Sequence, residues 1–140
     1  MSNTLDRFVT AQTDSDATAL AELRAGTKRS HWIWFVFPQL AGLGRSGTAR
    51  FYGIADAGEA RAYLDHPVLG PRLVECVRTM LGWTGKRSAE AILGTVDALK
   101  FRSSLTLFEQ VGGDPLFGQA LEGFYGGIRD AATLSILRTR

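Results

Sequence analysis

In "VDALKFRSSLTLFEQVGG", Lys100 and Ser103 stand three residues apart. On a helix they lie, with Ser104 and Leu107, beside the apolar stripe. A lysine and a serine one turn apart can bind phosphate, or form a serine nucleophile paired with a lysine base. The plain alternative is a lysine that lays its stem along apolar surface and keeps its head in water. No surrounding motif supports the nucleophile, so Lys100 and Ser103 are read as ligand-binding residues and Asp97 as a candidate catalytic carboxylate. Phe101, Leu105 and Phe108 form the apolar stripe of this wheel, with Arg102, Thr106 and Glu109 on its far side.

The segment "SHWIWFVFPQL", Ser30 to Leu40, concentrates aromatic residues beside a histidine and a glutamine. His31 titrates near neutrality and is a candidate general base; the commoner role of such a histidine is a packed, hydrogen-bonded one. Trp32 and Trp34 lie about 200° apart if the segment is helical. One indole can then face the core and the other a cleft, where it could stack on a base or a sugar. Gln39 follows as a polar ligand contact.

"GLGRSG", Gly42 to Gly47, matches G-x-G-x-x-G literally. The dinucleotide fingerprint needs a parallel strand feeding the turn, and Pro38 with no βαβ pattern argues against one. Arg45 and Ser46 with glycine-rich backbone ahead of a helix could still hold an anion. Otherwise the segment is a connector whose glycines permit positive φ. Arg72 is a further anion-binding candidate, with a plain Arg72–carboxylate pair as its alternative. Asp130 in "GGIRDAATL" reads as an N-cap with Thr133, and secondarily as a general base. No metal is expected: the histidines are His31 and His66, without HxxxH or HxxE spacing, and Cys76 is the sole cysteine. No cofactor is implied.

The elements that must carry these residues read as helices. "TLDRFVTAQ" and "ATALAELRAG" show helical spacing, with "TDSD" between them as capping residues and Gly26 as a stop. Short helices follow in "RSGTARFYGI" and from Ala57 to Leu64. In "DHPVLGPRLVECVRTMLGW", Pro67 suits the first helical position and His66 the cap, and Pro71 falls in the first turn or just past it. "SAEAIL" ends at Gly94. The stretch from Asp97 to Gly112 fits both a strand alternation and a helical stripe; Asp97 near its start and Gly112-Gly113 at its end favour helix. Asp114 and Pro115 open the next helix, and Asp130 the last. The expected fold is one all-α domain over 1–140, of about eight short helices, with an irregular Gly-rich segment around 37–47.

Bulk composition narrows the function classes. The chain has 140 residues, 45% of them hydrophobic and 21% charged, enough for one sizeable core. The net charge is +2 and the longest Lys/Arg runs are "KR" pairs, so no nucleic-acid face is expected. A single cysteine, no signal-peptide pattern, and no apolar run longer than "WIWFVF" suggest a cytoplasmic protein without a membrane span.

Taken together, "RFVTAQ", "AELRAGTKRSHWIWFVFPQLAGLG", "YLDHPVLGPRL", "DALKFRSSLTLF" and "GGIRDAATL" resemble the bacterial family termed domain of unknown function 1810. The resemblance covers nearly the whole chain and implies a mainly α-helical fold without supplying a mechanism. The matching positions include His31, Trp34, Gln39, Arg72, Lys100, Ser103 and Asp130. Tyr125 departs from the phenylalanine expected there. Members often carry the label calpastatin, but such inhibitors are disordered when free, whereas this chain has the composition and caps of a folded domain. A fainter similarity points to small helical N-glycosidases acting on ADP-ribose-type compounds. The combined expectation is a cleft lined by His31, Trp34, Gln39, Lys100, Ser103 and Asp130. It would take a small phosphorylated or nucleotide-like ligand and carry out hydrolysis there. The alternative is a non-catalytic interaction module.

Overall fold

The computed structural model describes residues 5–139. Among these residues nine helices form and no strand does. A single parallel bridge, Leu40 to Ile54, is the one β-type pairing among the described residues.

Helix α1, Asp6–Ala25, is continuous through "TDSD", where the sequence predicts a break. Asp, Ser and Thr only weakly oppose a helix when their side chains reach solvent. Thr13 donates its hydroxyl to the Val9 carbonyl at 2.9 Å without interrupting the ladder. Gly26 ends the helix in the left-handed region, as expected. Thr4, the first residue of the predicted "TLDRFVTAQ" helix, lies outside the described residues.

Helices α2 (Ile33–Val36) and α3 (Gly47–Tyr52) flank the irregular segment. The backbone N–H of Ile54 donates to Gln39 at 2.9 Å and that of Ala41 to Ile54 at 2.8 Å. These bonds pin the segment after Pro38 to the end of α3. Helices α4 (Ala57–Asp65) and α5 (Leu69–Leu81) form a tight pair. Helix α5 begins two residues later than Pro67 suggests, and His66 supplies the cap: its Nδ1 accepts from the N–H groups of Val68 and Leu69 at 3.1 and 3.2 Å. Gly70 makes the pair possible, since a Cβ there would lie 2.1 Å from the Leu64 carbonyl oxygen. Short α6 (Ala89–Leu93) carries Ser88 as its N-cap.

Helix α7, Thr95–Gln110, is the axis of the molecule and packs against α2, α4, α6, α8 and α9. Helices α8 (Leu116–Tyr125) and α9 (Ala131–Thr139) cover the side of α7 that carries Thr106 and Glu109. Thr106 is fully buried there, and Glu109 pairs with Arg129. The amphipathic reading of α7 is therefore incomplete. Phe101 and Ser103 to Phe108 are all buried, so the helix is enclosed on most of its circumference. Its hydroxyls survive burial by bonding to the preceding turn: Ser103 donates to Leu99 and Thr106 to Arg102, at 3.2 and 2.8 Å. Tilted ring pairs complete the core, with Phe101 against Phe37 at 4.6 Å and Phe108 against Tyr63 at 5.4 Å between centroids.

Candidate functional site

A cleft of about 360 Å³ opens along the N-terminal half of α7. Val96, Leu99, Lys100 and Ser103, one side of that helix, form its floor. Trp34 and Gln39, from α2 and the segment after it, form one wall. Asp130 and Ala132, at the start of α9, stand on the other, with Arg102. Of the residues singled out in the sequence, the fold thus gathers Trp34, Gln39, Lys100, Ser103 and Asp130.

Several polar groups here are unspent. Trp34 is half-buried and its indole N–H has no partner among the described residues. The Lys100 ammonium lies 4.4 Å from the Trp34 ring centroid, a cation–π contact. It is 3.4 Å from Asp97 Oδ1, a long and therefore weak ion pair. The Gln39 side-chain amide has no protein partner among the described residues, although the residue is only 9% exposed. Asp130 caps α9 through one oxygen only: Oδ2 accepts from the Thr133 N–H at 3.1 Å and from its hydroxyl at 2.5 Å. Its own N–H donates to Thr106 Oγ1 at 3.0 Å, which fixes the corner against α7. Oδ1 has no partner among the described residues.

The remaining candidates lie elsewhere. His31 is exposed, does not line the cleft, and its ring has no partner among the described residues. Asp97 is held between two lysines, with Lys28 Nζ at 2.8 Å from Oδ2. Both of its oxygens are engaged, which leaves it poorly placed to take a proton from water. Arg72 sits at the seam of α1 and α5, 3.5 Å from Asp16 and 3.4 Å from Gln12 Oε1. It supports a buried node in which Gln12 donates to the Phe35 carbonyl and to Tyr63. This is the Arg72–carboxylate pair given as its alternative.

The "GLGRSG" loop contributes only Leu43 and Gly44 to the cleft. Ser46 spends its oxygen on the Ala49 N–H, as N-cap of α3. Arg45 is exposed and outside the cleft. Of the three motif glycines only Gly42 has positive φ. Gly44 is there for close approach, since a Cβ would meet that of Ala49 at 2.8 Å. No strand precedes the loop among the described residues, so the dinucleotide reading has no structural footing.

Arg102 was not read as a site residue. It lines the cleft and sits 5.8 Å from the Tyr125 ring centroid. It belongs to none of the ion pairs among the described residues, and its Nε is buried without an acceptor. A sequence signal for this exists. The positions three and four residues away are Ala98, Leu99, Leu105 and Thr106, so no acid on its own helix can pair with it.

The opposite face of the α2 segment is fully satisfied. Trp32 is 1% exposed. Its indole N–H donates to Glu22 Oε1 at 2.9 Å, and the Ser30 hydroxyl to Oε2 at 2.6 Å. The Arg29 and Ser30 N–H groups add two more bonds to Oε1. Burial pushes the Glu22 carboxyl up, but these bonds together outweigh it and hold the group down at about 2.

This all-helical scaffold is shared with a known family and a solved structure. The chain belongs to the DUF1810 family, described as proteins of unknown function, whose profile matches residues 2–137. The solved structure of the conserved hypothetical protein Rv1873 from Mycobacterium tuberculosis is similar throughout. It is 47% identical, with 96% of each chain covered and a TM-score of 0.93. None of the curated proteins searched matches significantly. Among the described residues no helix is long and apolar enough to cross a membrane. No group of three or more His, Cys, Asp or Glu among them could hold a metal.

Proposed function

We propose that the α2–α7–α9 cleft binds a small phosphorylated ligand of mononucleotide or sugar-phosphate size. The observation that carries this reading is the gathering of residues with unspent polar groups on one concave, partly apolar surface. Among the described residues Gln39, the Trp34 N–H and Asp130 Oδ1 lack protein partners, and these three residues line the cleft with the cations Lys100 and Arg102. Ligand sites combine an apolar lining with a few such groups. A volume of about 360 Å³ lies near the lower end of the common range of roughly 300–1,000 Å³, which suits a mononucleotide better than a dinucleotide. Lys100 already covers one face of the Trp34 ring, so a base that stacks there must displace it or use the indole edge.

If the ligand is turned over, Asp130 is the base. It is the carboxylate of the cleft with a free oxygen, and it would take a proton from the attacking water. The interaction-module reading has less support. Phe51, Val68, Val96, Leu99 and Ile128 are exposed large hydrophobics, but of these only Val96 and Leu99 adjoin the cleft.

A thermal-shift screen of nucleoside monophosphates, sugar phosphates and ADP-ribose tests the reading. The expected result is a rise in melting temperature with the smaller phosphorylated compounds, lost in Trp34→Ala. No stabilisation by any of them overturns it. Product analysis with the best ligand, using wild type and Asp130→Asn (which retains an N-cap), separates binding from turnover.

A further inference from the structure

Resting on that reading, we infer that Arg102, rather than Lys100, is the anion-holding residue of the cleft, and that it takes an oxyanion with two forked oxygens, a phosphate monoester.

The two cations of the cleft differ in what already neutralises them. Lys100 has Asp97 at 3.4 Å and the Trp34 ring at 4.4 Å. Arg102 has the Tyr125 ring at 5.8 Å and no carboxylate within ion-pair distance among the described residues. It is half-buried, and its buried Nε has no acceptor. A folded chain satisfies nearly all such donors, so the exception calls for a cause. Nε itself is enclosed, but the terminal nitrogens of the guanidinium are not, and among the described residues they too have no acceptor, so a ligand in the cleft can complete them. The planar fork of the guanidinium matches two oxygens on one phosphorus, a geometry an ammonium cannot reproduce.

The surroundings set the orientation of the ligand. Asp130 lines the same cleft and its carboxylate repels an anion placed against it, but Oδ1, without a partner among the described residues, can accept from a hydroxyl. A phosphate on Arg102 with a sugar hydroxyl on Asp130 satisfies both, and leaves the Trp34 and Gln39 wall for the ring. The Lys100 ammonium adds long-range attraction without direct coordination.

The test is calorimetric titration of adenosine 5′-monophosphate, ribose 5-phosphate and adenosine into wild type, Arg102→Lys, Arg102→Met and Lys100→Met. Arg102→Lys is expected to weaken both phosphates by about tenfold or more, the value of a charged hydrogen bond, while adenosine changes less than about twofold. Lys100→Met should weaken them by only a few-fold. Arg102→Met removes an unsatisfied donor and keeps the stem, so the free protein should melt no lower than wild type. Phosphate binding that survives in Arg102→Lys overturns the inference and leaves the cleft standing. So does a free Arg102→Met that melts well below wild type, because the protein itself then uses the guanidinium. Absence of binding by wild type overturns the inference and the proposed function together.

Discussion

Two lysine–tryptophan pairs meet at one carboxylate, and they have opposite fates. Lys28 lies 5.0 Å from the Trp32 ring centroid, and Lys100 lies 4.4 Å from that of Trp34. Asp97 stands between them, at 2.8 Å from the first lysine and 3.4 Å from the second. In the first pair everything is used: the indole is buried, its N–H bonds to Glu22, and the lysine side chain is 9% exposed. In the second the indole is half open and its N–H has no partner among the described residues. Residue type is the same in both. What distinguishes structure from site is whether the polar capacity has been spent inside the protein.

That contrast breaks most easily at its buried side. Trp32→Ala should destabilise by about 3–5 kcal/mol, the usual cost of deleting a large core aromatic, and frees the Glu22 clamp as well. Chemical denaturation checks it; a loss below about 1 kcal/mol would make the buried pair no more structural than the open one. Asp97→Asn comes next. It leaves Lys28 without its counter-charge, at about 2–3 kcal/mol, somewhat less than for a fully buried pair. The loss should be recovered in large part by the double change with Lys28→Met, measured as a thermodynamic cycle.

The helices were legible because their signals are local. Asp114 and Asp130 each accept a backbone N–H where they were read to cap. The continuity of α1 was not, because Asp14 and Asp16 look like stops until their exposure is known. The same holds at the site. Trp34, Gln39, Lys100, Ser103 and Asp130 were found by type and motif, and the fold puts them on one cleft. Arg72 has the same chemistry as Arg102, yet it is paired with a carboxylate of α1, and Arg102 has no carboxylate partner among the described residues. That difference depends on long-range packing, which no spacing rule contains. His31 lies outside that cleft for the converse reason: neighbours in sequence on a short helix and its lead-in point to different faces.

Glu22→Gln gives a smaller effect with a pH signature. The carboxyl sits at about 2 when folded and near 4.5 otherwise, so its contribution is complete above about pH 4.5. It disappears as pH falls toward 2, because the unfolded chain takes up the proton first. The variant should therefore be less stable than wild type by about 1.5–3 kcal/mol at pH 7. The gap should close between about pH 4.5 and 2. Urea denaturation at pH 7, 4.5 and 3 reads the difference directly, and a gap independent of pH would show that the clamp works through shape and not charge.

Lys100→Met should give the smallest change, and it bears most directly on the contrast. The methionine keeps the apolar stem against Trp34 and removes a long ion pair and a cation–π contact, together under about 1 kcal/mol in a half-open setting. Asp97 keeps its shorter bond to Lys28, so no buried charge is orphaned. The matching change Lys28→Met removes the 2.8 Å partner and leaves Asp97 with the long contact alone, and should cost more. Melting temperatures of the two variants, taken side by side at low and at high salt, rank them. Lys28→Met should fall below Lys100→Met in both conditions, and only the Lys100 difference should shrink with salt, since charge near open solvent is screened and charge in the interior is not. Equal losses would mean that the open pair is as structural as the buried one, and that the cleft beside it is a packing gap.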